Sequence, residues 1–247
     1  MVVIVRCMAG AEMHDLNTTG RGVRVALIDS GISAHHPHVG ELVGGIGFQR
    51  VGDTVVQNAD STDVNGHGTA CAGVVRWLAP DVGLFSIRIL GPDLLADGTV
   101  LASALDWCVE NEVQVINVSA GSTVPSTQAL LRRPLAALED RGVVVVAAKS
   151  DNEGSDWPAD CDTVLSVSVQ SRADPRRVYT SGIDSQLLAS GHPRPVDGVP
   201  PSANLSGPSF AAPRVTALTA LVVESHPDLT AECYRRMVMD LAEEPQS

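Results

Sequence analysis

The chain has a single lysine, Lys149, no clustered run of basic residues, no CxxC pair and no apolar stretch long enough to span a bilayer. Each absence removes a class of function. The formal net charge of −12 repels nucleic-acid phosphate and anionic lipid, and no basic patch offsets it locally. Partners are therefore expected among peptides, proteins or small molecules, with no nucleic acid and no membrane. Five cysteines, Cys7, Cys71, Cys108, Cys161 and Cys233, form an odd set without zinc spacing, so free and mostly buried thiols are expected rather than a disulfide framework. The opening MVVIVRC is too short an apolar run for a signal peptide, and with Met1 as the native start the expected location is the cytoplasm.

What is present is the material of a large core. Of 247 residues, 44% are apolar and 19% charged, no linker or repeat divides them, and residues 1–247 are expected to form one domain. β-Branched apolar runs recur at 23–29 (VRVALID), 82–90 (VGLFSIRIL), 113–119 (VQVINVS), 142–148 (GVVVVAA) and 163–169 (TVLSVSV). Their hydrophobicity is continuous rather than alternating, which is the pattern of strands buried on both faces. Helical patterns lie between and after them at Gly68–Leu78, Val100–Asn111, Gln128–Arg141 and Ser209–Ser225. A last helix is signalled by HPDLTAECYRRMVMDL, with Thr230 as its cap and Cys233, Met237 and Leu241 on one face. The alternation predicts an α/β fold, a doubly wound, mostly parallel sheet with helices on both faces. In such folds sites form outside the carboxyl ends of the strands.

Three polar residues stand at such places. Asp29 ends the run VRVALI and precedes Ser30-Gly31; alone, it reads as a turn-former. His67 lies in NGHGTACAG, between glycines that let backbone approach closely. Ser209 lies in LSGPSFAAP at the start of a helical run, where it reads as an N-cap or as a nucleophile. Pro213 is expected within the first turns, where a missing N–H does least harm. Together the three supply a hydroxyl, an imidazole to take its proton and a carboxylate to hold that imidazole, in the chain order Asp, His, Ser.

In these motifs the chain resembles the subtilisin-like serine proteases, the subtilases. VALIDSGI resembles the family's aspartate motif, NGHGTACAG its histidine motif and GPSFAAP its serine motif; His36-Pro37, APDVGLFSIRIL, VINVSAG and HPDLT resemble further landmarks. The resemblance implies a serine endopeptidase acting on a peptide or protein substrate through an acyl-enzyme, with Asp29, His67 and Ser209 as its triad. It also implies that the backbone of Ser119, Ala120 and Gly121 binds an extended peptide by strand addition. Cys71, four residues after His67, is expected on the same helix face, in a packing role. His35, His36 and His38 point in different directions from one turn, so metal binding with Asp29 is not expected.

The chain departs from the family at the turn that supplies the oxyanion donor, which here reads AAKSDNEG. Alignment through NEG makes Asn152 the donor, whereas an ungapped count to Trp157-Pro158 puts Asp151 there, and an ionised Asp151 cannot donate. Lys149 is a possible compensating charge. Pro208 stands where the family has threonine, and Ala70 where many members have histidine. The leading reading is an active endopeptidase that processes a particular intracellular peptide or precursor. The alternatives are a catalytically weak peptide-binding module, or acyl transfer to an amine giving ligation or cyclisation. No cofactor is indicated; structural calcium is compatible with Asp60, Asp63 and the acidic loops, without diagnostic ligand spacing. Asp156, Asp160 and Asp162 crowd the segment that in subtilases adjoins the pocket for the side chain preceding the cleaved bond. They read either as a preference for basic substrates or as solvated loop carboxylates.

Overall fold

The computed structural model of the chain describes residues 17–150, 155–181, 186–195 and 204–244. The expected strands are β1 (Arg24–Asp29), β4 (Gly83–Arg88), β5 (Val115–Val118), β6 (Val144–Ala148) and β7 (Val164–Val169). Four more join them: β2 (Gly44–Val51), β3 (Thr54–Asn58), β8 (Val178–Thr180) and β9 (Leu187–Ala189). Among the described residues they form one sheet in the order β3-β2-β4-β1-β5-β6-β7-β9-β8. All pairings are parallel except those of the edge strands, β3 on β2 and β8 on β9. The central VINV of β5 and VVVAA of β6 are buried at every position, as continuous apolar runs require when helices cover both faces.

The helices are α1 (His67–Leu78), α2 (Gly98–Glu110), α3 (Pro125–Asp140), α4 (Pro208–Ser225) and α5 (Ala231–Leu241). One core joins α1, α4 and α5 to one face of the sheet, and a second joins α2 and α3 to the other. Helix α4 is buried without interruption from Phe210 to Val223, because it lies between α1, α5 and the strands β5, β6 and β7. Enclosed on all sides, the helix is mostly apolar all round, and its buried Arg214, Thr216 and Thr219 are hydrogen-bonded inside the core.

Several boundaries differ from expectation for local reasons. α2 starts at Gly98 because the Asp97 carboxylate accepts the Thr99 N–H at 2.8 Å, and α3 starts at Pro125, where a proline fits the first helical position. α4 starts at Pro208, with Gly207 as its N-cap and no side-chain cap, so Ser209 is a helical residue rather than a cap. Thr230 does cap α5, accepting from Cys233 N at 3.3 Å, but the buried stripe of that helix is Ala231, Tyr234 and Val238. Met237 and Leu241 pack at its flank, and Cys233 is half-buried.

Candidate active site

β1 and α1 meet through a glycine. A Cβ at Gly68 would lie 2.1 Å from the Gly31 carbonyl and 3.1 Å from the Asp29 Cβ, so a bare Cα is what lets the start of α1 press on the end of β1. That contact sets His67, the first residue of α1, beside Asp29, the last of β1. His67 Nδ1 is 2.7 Å from Asp29 Oδ1, and the same oxygen accepts the Ser30 N–H at 2.7 Å. Asp29 is completely buried, and its Oδ2 has no hydrogen-bond partner among the described residues.

A network missed in the sequence fixes this pair. Asp63 accepts from Ser30 Oγ, Asn65 N and Gly66 N through Oδ1, and from Thr69 N and Thr69 Oγ1 through Oδ2. Ser30 Oγ in turn accepts the Gly68 N–H at 3.0 Å. The Asp63 carboxylate therefore ties the turn before α1 to the residue after Asp29. Its signal in the sequence was the DVNG turn directly before His67. Burial pulls the His67 imidazole down, but the hydrogen bond and charge of Asp29, with Asp63 behind them, outweigh it and hold the ring above its ordinary value. The ring also rests against Phe210, with centroids 5.1 Å apart.

Ser209 approaches from α4, as its second residue. Its Oγ donates to the Ser119 carbonyl at 3.3 Å, and among the described residues it makes no hydrogen bond to His67. The two residues nevertheless line one cleft of about 300 Å³, together with Ser119, Ala120, Gly121, Leu94 and Leu95. Pro213 is the sixth residue of α4, beyond the first turn, so its missing N–H leaves the Ser209 carbonyl without an intrahelical donor. The Cys71 thiol at 3.3 Å and the Ser119 hydroxyl at 3.3 Å donate to that carbonyl instead. Asn117 Nδ2 holds the Ser119 hydroxyl at 2.8 Å. Cys71 is thus more than packing: it lies 4.0 Å from His67 Nδ1 and anchors the backbone of Ser209.

Asp151 and Asn152 lie outside the described residues. Lys149 is not among the residues that line the cleft; its Nζ pairs with Asp160 at 2.9 Å. Pro208 occupies the first position of α4, and Ala70 packs against the first core. His36 and His38 stack edge-on at 5.2 Å and line a separate groove with Thr69 and Ala70. Asp60 pairs with Arg88, Asp162 is exposed, and Asp156 is buried. Ligating atoms of Asp29, His67 and Cys71 come within 4.8 Å of one another. Burial, with the charge of Asp29, pushes the Cys71 thiol well up, which keeps it in the protonated state that donates hydrogen bonds and binds metals poorly.

An imidazole held by a buried carboxylate, in one cleft with a helix-borne hydroxyl and the segment Ser119–Gly121 that follows β5, is placed to take a proton from that hydroxyl. Comparisons with known proteins agree with this layout. The model of the subtilase family matches residues 20–247. Subtilisin DY of Bacillus licheniformis is 32% identical over 242 residues, covering 90% of this chain and 84% of its own length. Subtilisin BL of Lederbergia lenta is 32% identical over 229 residues, 87% of this chain and 81% of that one. Among solved structures, a cold-adapted subtilisin-like serine proteinase matches with a TM-score of 0.66 at 23% identity, over 89% of this chain and 82% of the other, a likeness of fold.

Proposed function

The chain belongs to the subtilase family and is a subtilisin-like serine protease, and on that premise we propose that it hydrolyses peptide bonds through Asp29, His67 and Ser209 by way of an acyl-enzyme. The observation that carries the assignment is the 2.7 Å contact of His67 Nδ1 with the fully buried Asp29, which leaves the other ring nitrogen to serve the cleft that holds Ser209. An extended substrate adds to Ser119–Gly121, and its N–H takes the Ser119 carbonyl that Ser209 Oγ occupies at rest. Freed from that contact, the hydroxyl turns to His67, gives up its proton and attacks the peptide carbonyl. His67 passes the proton to the leaving amine, and water repeats the cycle on the ester. Asp29 stays ionised and holds the tautomer.

Negative charge on the attacked oxygen needs donors aimed at it. The Ser209 N–H, in the first turn of α4 where backbone donors lack intrahelical acceptors, is one; the second is a side chain of Asn152 or Asp151, of which Asn152 can donate in its ordinary state. A cytoplasmic peptide or precursor is the substrate we infer, a reading supported by the free state of Cys71, Cys108, Cys161 and Cys233.

A fluorophosphonate probe tests the nucleophile. Wild-type protein is expected to take the label on Ser209 and the Ser209→Ala variant to take none; folded wild type that stays unlabelled sinks the assignment. A second reading, a peptide-binding module with little turnover, draws on the resting contact of Ser209 with Ser119 instead of His67. It predicts slow labelling without product. Product masses separate hydrolysis, which adds water to the acyl fragment, from transfer to an amine.

A further inference from the structure

Arg214, the seventh residue of α4, is a cation with no exposure to solvent. Burial pulls its pKa down to about 10, which still leaves it charged at neutral pH. Its Nε donates to the Pro175 carbonyl at 2.9 Å and its Nη1 to the Phe210 carbonyl at 2.6 Å. Among the described residues it makes no ion pair, and its Nη2 has no hydrogen-bond partner. A buried cation without a counter-ion costs stability, and an apolar side chain of similar volume fills such a space without that cost. A guanidinium at this place therefore needs a reason other than packing.

The reason lies in the two carbonyls it joins. Phe210 directly follows Ser209 in the first turn of α4, and its ring rests on His67. Pro213 interrupts the backbone ladder that would tie this turn to the rest of the helix, and a proline inside a helix is a point where the axis bends. Side chains hold the turn instead: the Cys71 thiol and the Ser119 hydroxyl on the Ser209 carbonyl, and the Arg214 guanidinium on the Phe210 carbonyl. Of these donors Arg214 alone is charged, and a bond of 2.6 Å from a charged donor is of the strong kind. Its other end is anchored outside the helix. Pro175 lies in a turn closed by the Arg177 N–H on the Asp174 carbonyl at 3.1 Å. Arg176 of that turn stacks on Trp77 of α1 at 4.6 Å, and both Glu243 oxygens hold Arg177, at 2.7 and 2.8 Å.

We propose that Arg214 is a positioning residue, whose guanidinium clamps the first turn of α4 to the 174–177 turn and so sets the aim of the Ser209 hydroxyl and N–H. The proposal rests on the peptidase reading above and adds to it a residue that acts through the Phe210 carbonyl. Released from the clamp, the turn swings about Pro213. Ser209 then loses its alignment with His67 and with the oxyanion, while Ser119–Gly121 still takes the peptide. A misplacement of about 1 Å at the reacting atoms is enough to cost about a hundredfold in rate.

Arg214→Met keeps an unbranched, apolar stem and removes the donors. Its kcat per folded molecule is expected to fall about tenfold to a hundredfold, with the rate of fluorophosphonate labelling falling alongside and KM moving about twofold or less. Arg214→Lys keeps the charge but lacks the fork that reaches two carbonyls at once, and its kcat is expected to lie between the other two. Wild-type kcat in Arg214→Lys overturns the proposal even where Arg214→Met does not fold. Leu221→Ala, buried in the same helix beyond Pro213, supplies the comparison: a lower urea midpoint with kcat of the folded protein kept. An equal fall in kcat there reduces Arg214 to packing. Amide exchange separates the clamp from the chemistry, because residues 209–212 are expected to exchange faster in Arg214→Met relative to residues 217–222. Faster exchange with no labelling of wild type keeps the clamp and discards the nucleophile. Labelling of wild type, with kcat and exchange unchanged in the variants, does the reverse.

Discussion

His67 is under two opposed influences. Burial lowers the affinity of an imidazole for its proton, whereas the hydrogen bond and charge of Asp29, with Asp63 behind them, raise it and prevail over the ordinary value near 6.5. A general base must be unprotonated before the attack, so kcat/KM is expected to rise with pH through an apparent pKa above that of a free histidine. Asp29→Asn removes the charge, moves that limb down and lowers kcat about a thousandfold or more. A wild-type limb at or below the ordinary histidine value would contradict the pairing. The same ionisation couples to folding. The folded imidazole holds its proton more tightly than the unfolded one, so the stabilisation is complete below the ordinary value and is lost as pH climbs through the raised one. Urea midpoints on either side of that window, in wild type and Asp29→Asn, read the difference. Cys71 makes a second residue-level case, because its thiol caps the Ser209 carbonyl that Pro213 leaves free. Cys71→Ala removes that donor and is expected to cost about 1–2 kcal/mol of stability and to lower kcat more than it raises KM. Cys71→Ser restores a donor and recovers most of the kcat, which a purely space-filling role does not predict.

Elements decide whether those side chains meet at all. Gly68→Ala places a methyl group 2.1 Å from the Gly31 carbonyl, so α1 must withdraw from β1 and carry His67 away from Asp29. The expected result is a loss of about 1–3 kcal/mol in urea unfolding together with a fall in kcat; full activity in this variant would show that the two elements are not braced against each other. This level was also the one most legible in the sequence. β1, β4, β5, β6 and β7 announced themselves because a strand buried on both faces must be apolar and β-branched throughout. The β2–β3 hairpin did not, because GGIGFQRV and TVVQN are half-exposed at the sheet edge and carry no such run. Asp29, His67 and Ser209 were legible because each stands in a glycine-marked turn next to an element. Their supports were not: Cys71 and Ser119 reach the Ser209 carbonyl across 138 and 90 residues, and Thr216 reaches Asn117 across 99, distances over which local pattern carries no information. α4 starts one residue before the expected Ser209, because Pro208 and Gly207, not a capping hydroxyl, set its start.

At the scale of the whole molecule the excess of acid governs how the fold meets salt and metal ions. A net charge of −12 repels itself, and that repulsion weakens as added salt shortens the screening length. Tm is therefore expected to rise modestly with sodium chloride. A calcium site makes a different demand, six to eight oxygens gathered on one ion. The acidic loops spend their oxygens elsewhere. Asp63 takes five hydrogen bonds from Ser30, Asn65, Gly66 and Thr69; Asp97 binds Thr99 and Arg50; Asp160 binds Lys149 and the Asp156 N–H. To coordinate calcium, any of these carboxylates would have to give up contacts that shape its own loop, so we propose a protease that keeps its stability without the ion. Chelator is expected to leave Tm unchanged at fixed ionic strength, and calcium chloride to add no more than sodium chloride of matched ionic strength. A rise specific to calcium, saturating at low concentration and reversed by chelator, would place a structural ion in the protein and require these loops to rearrange around it.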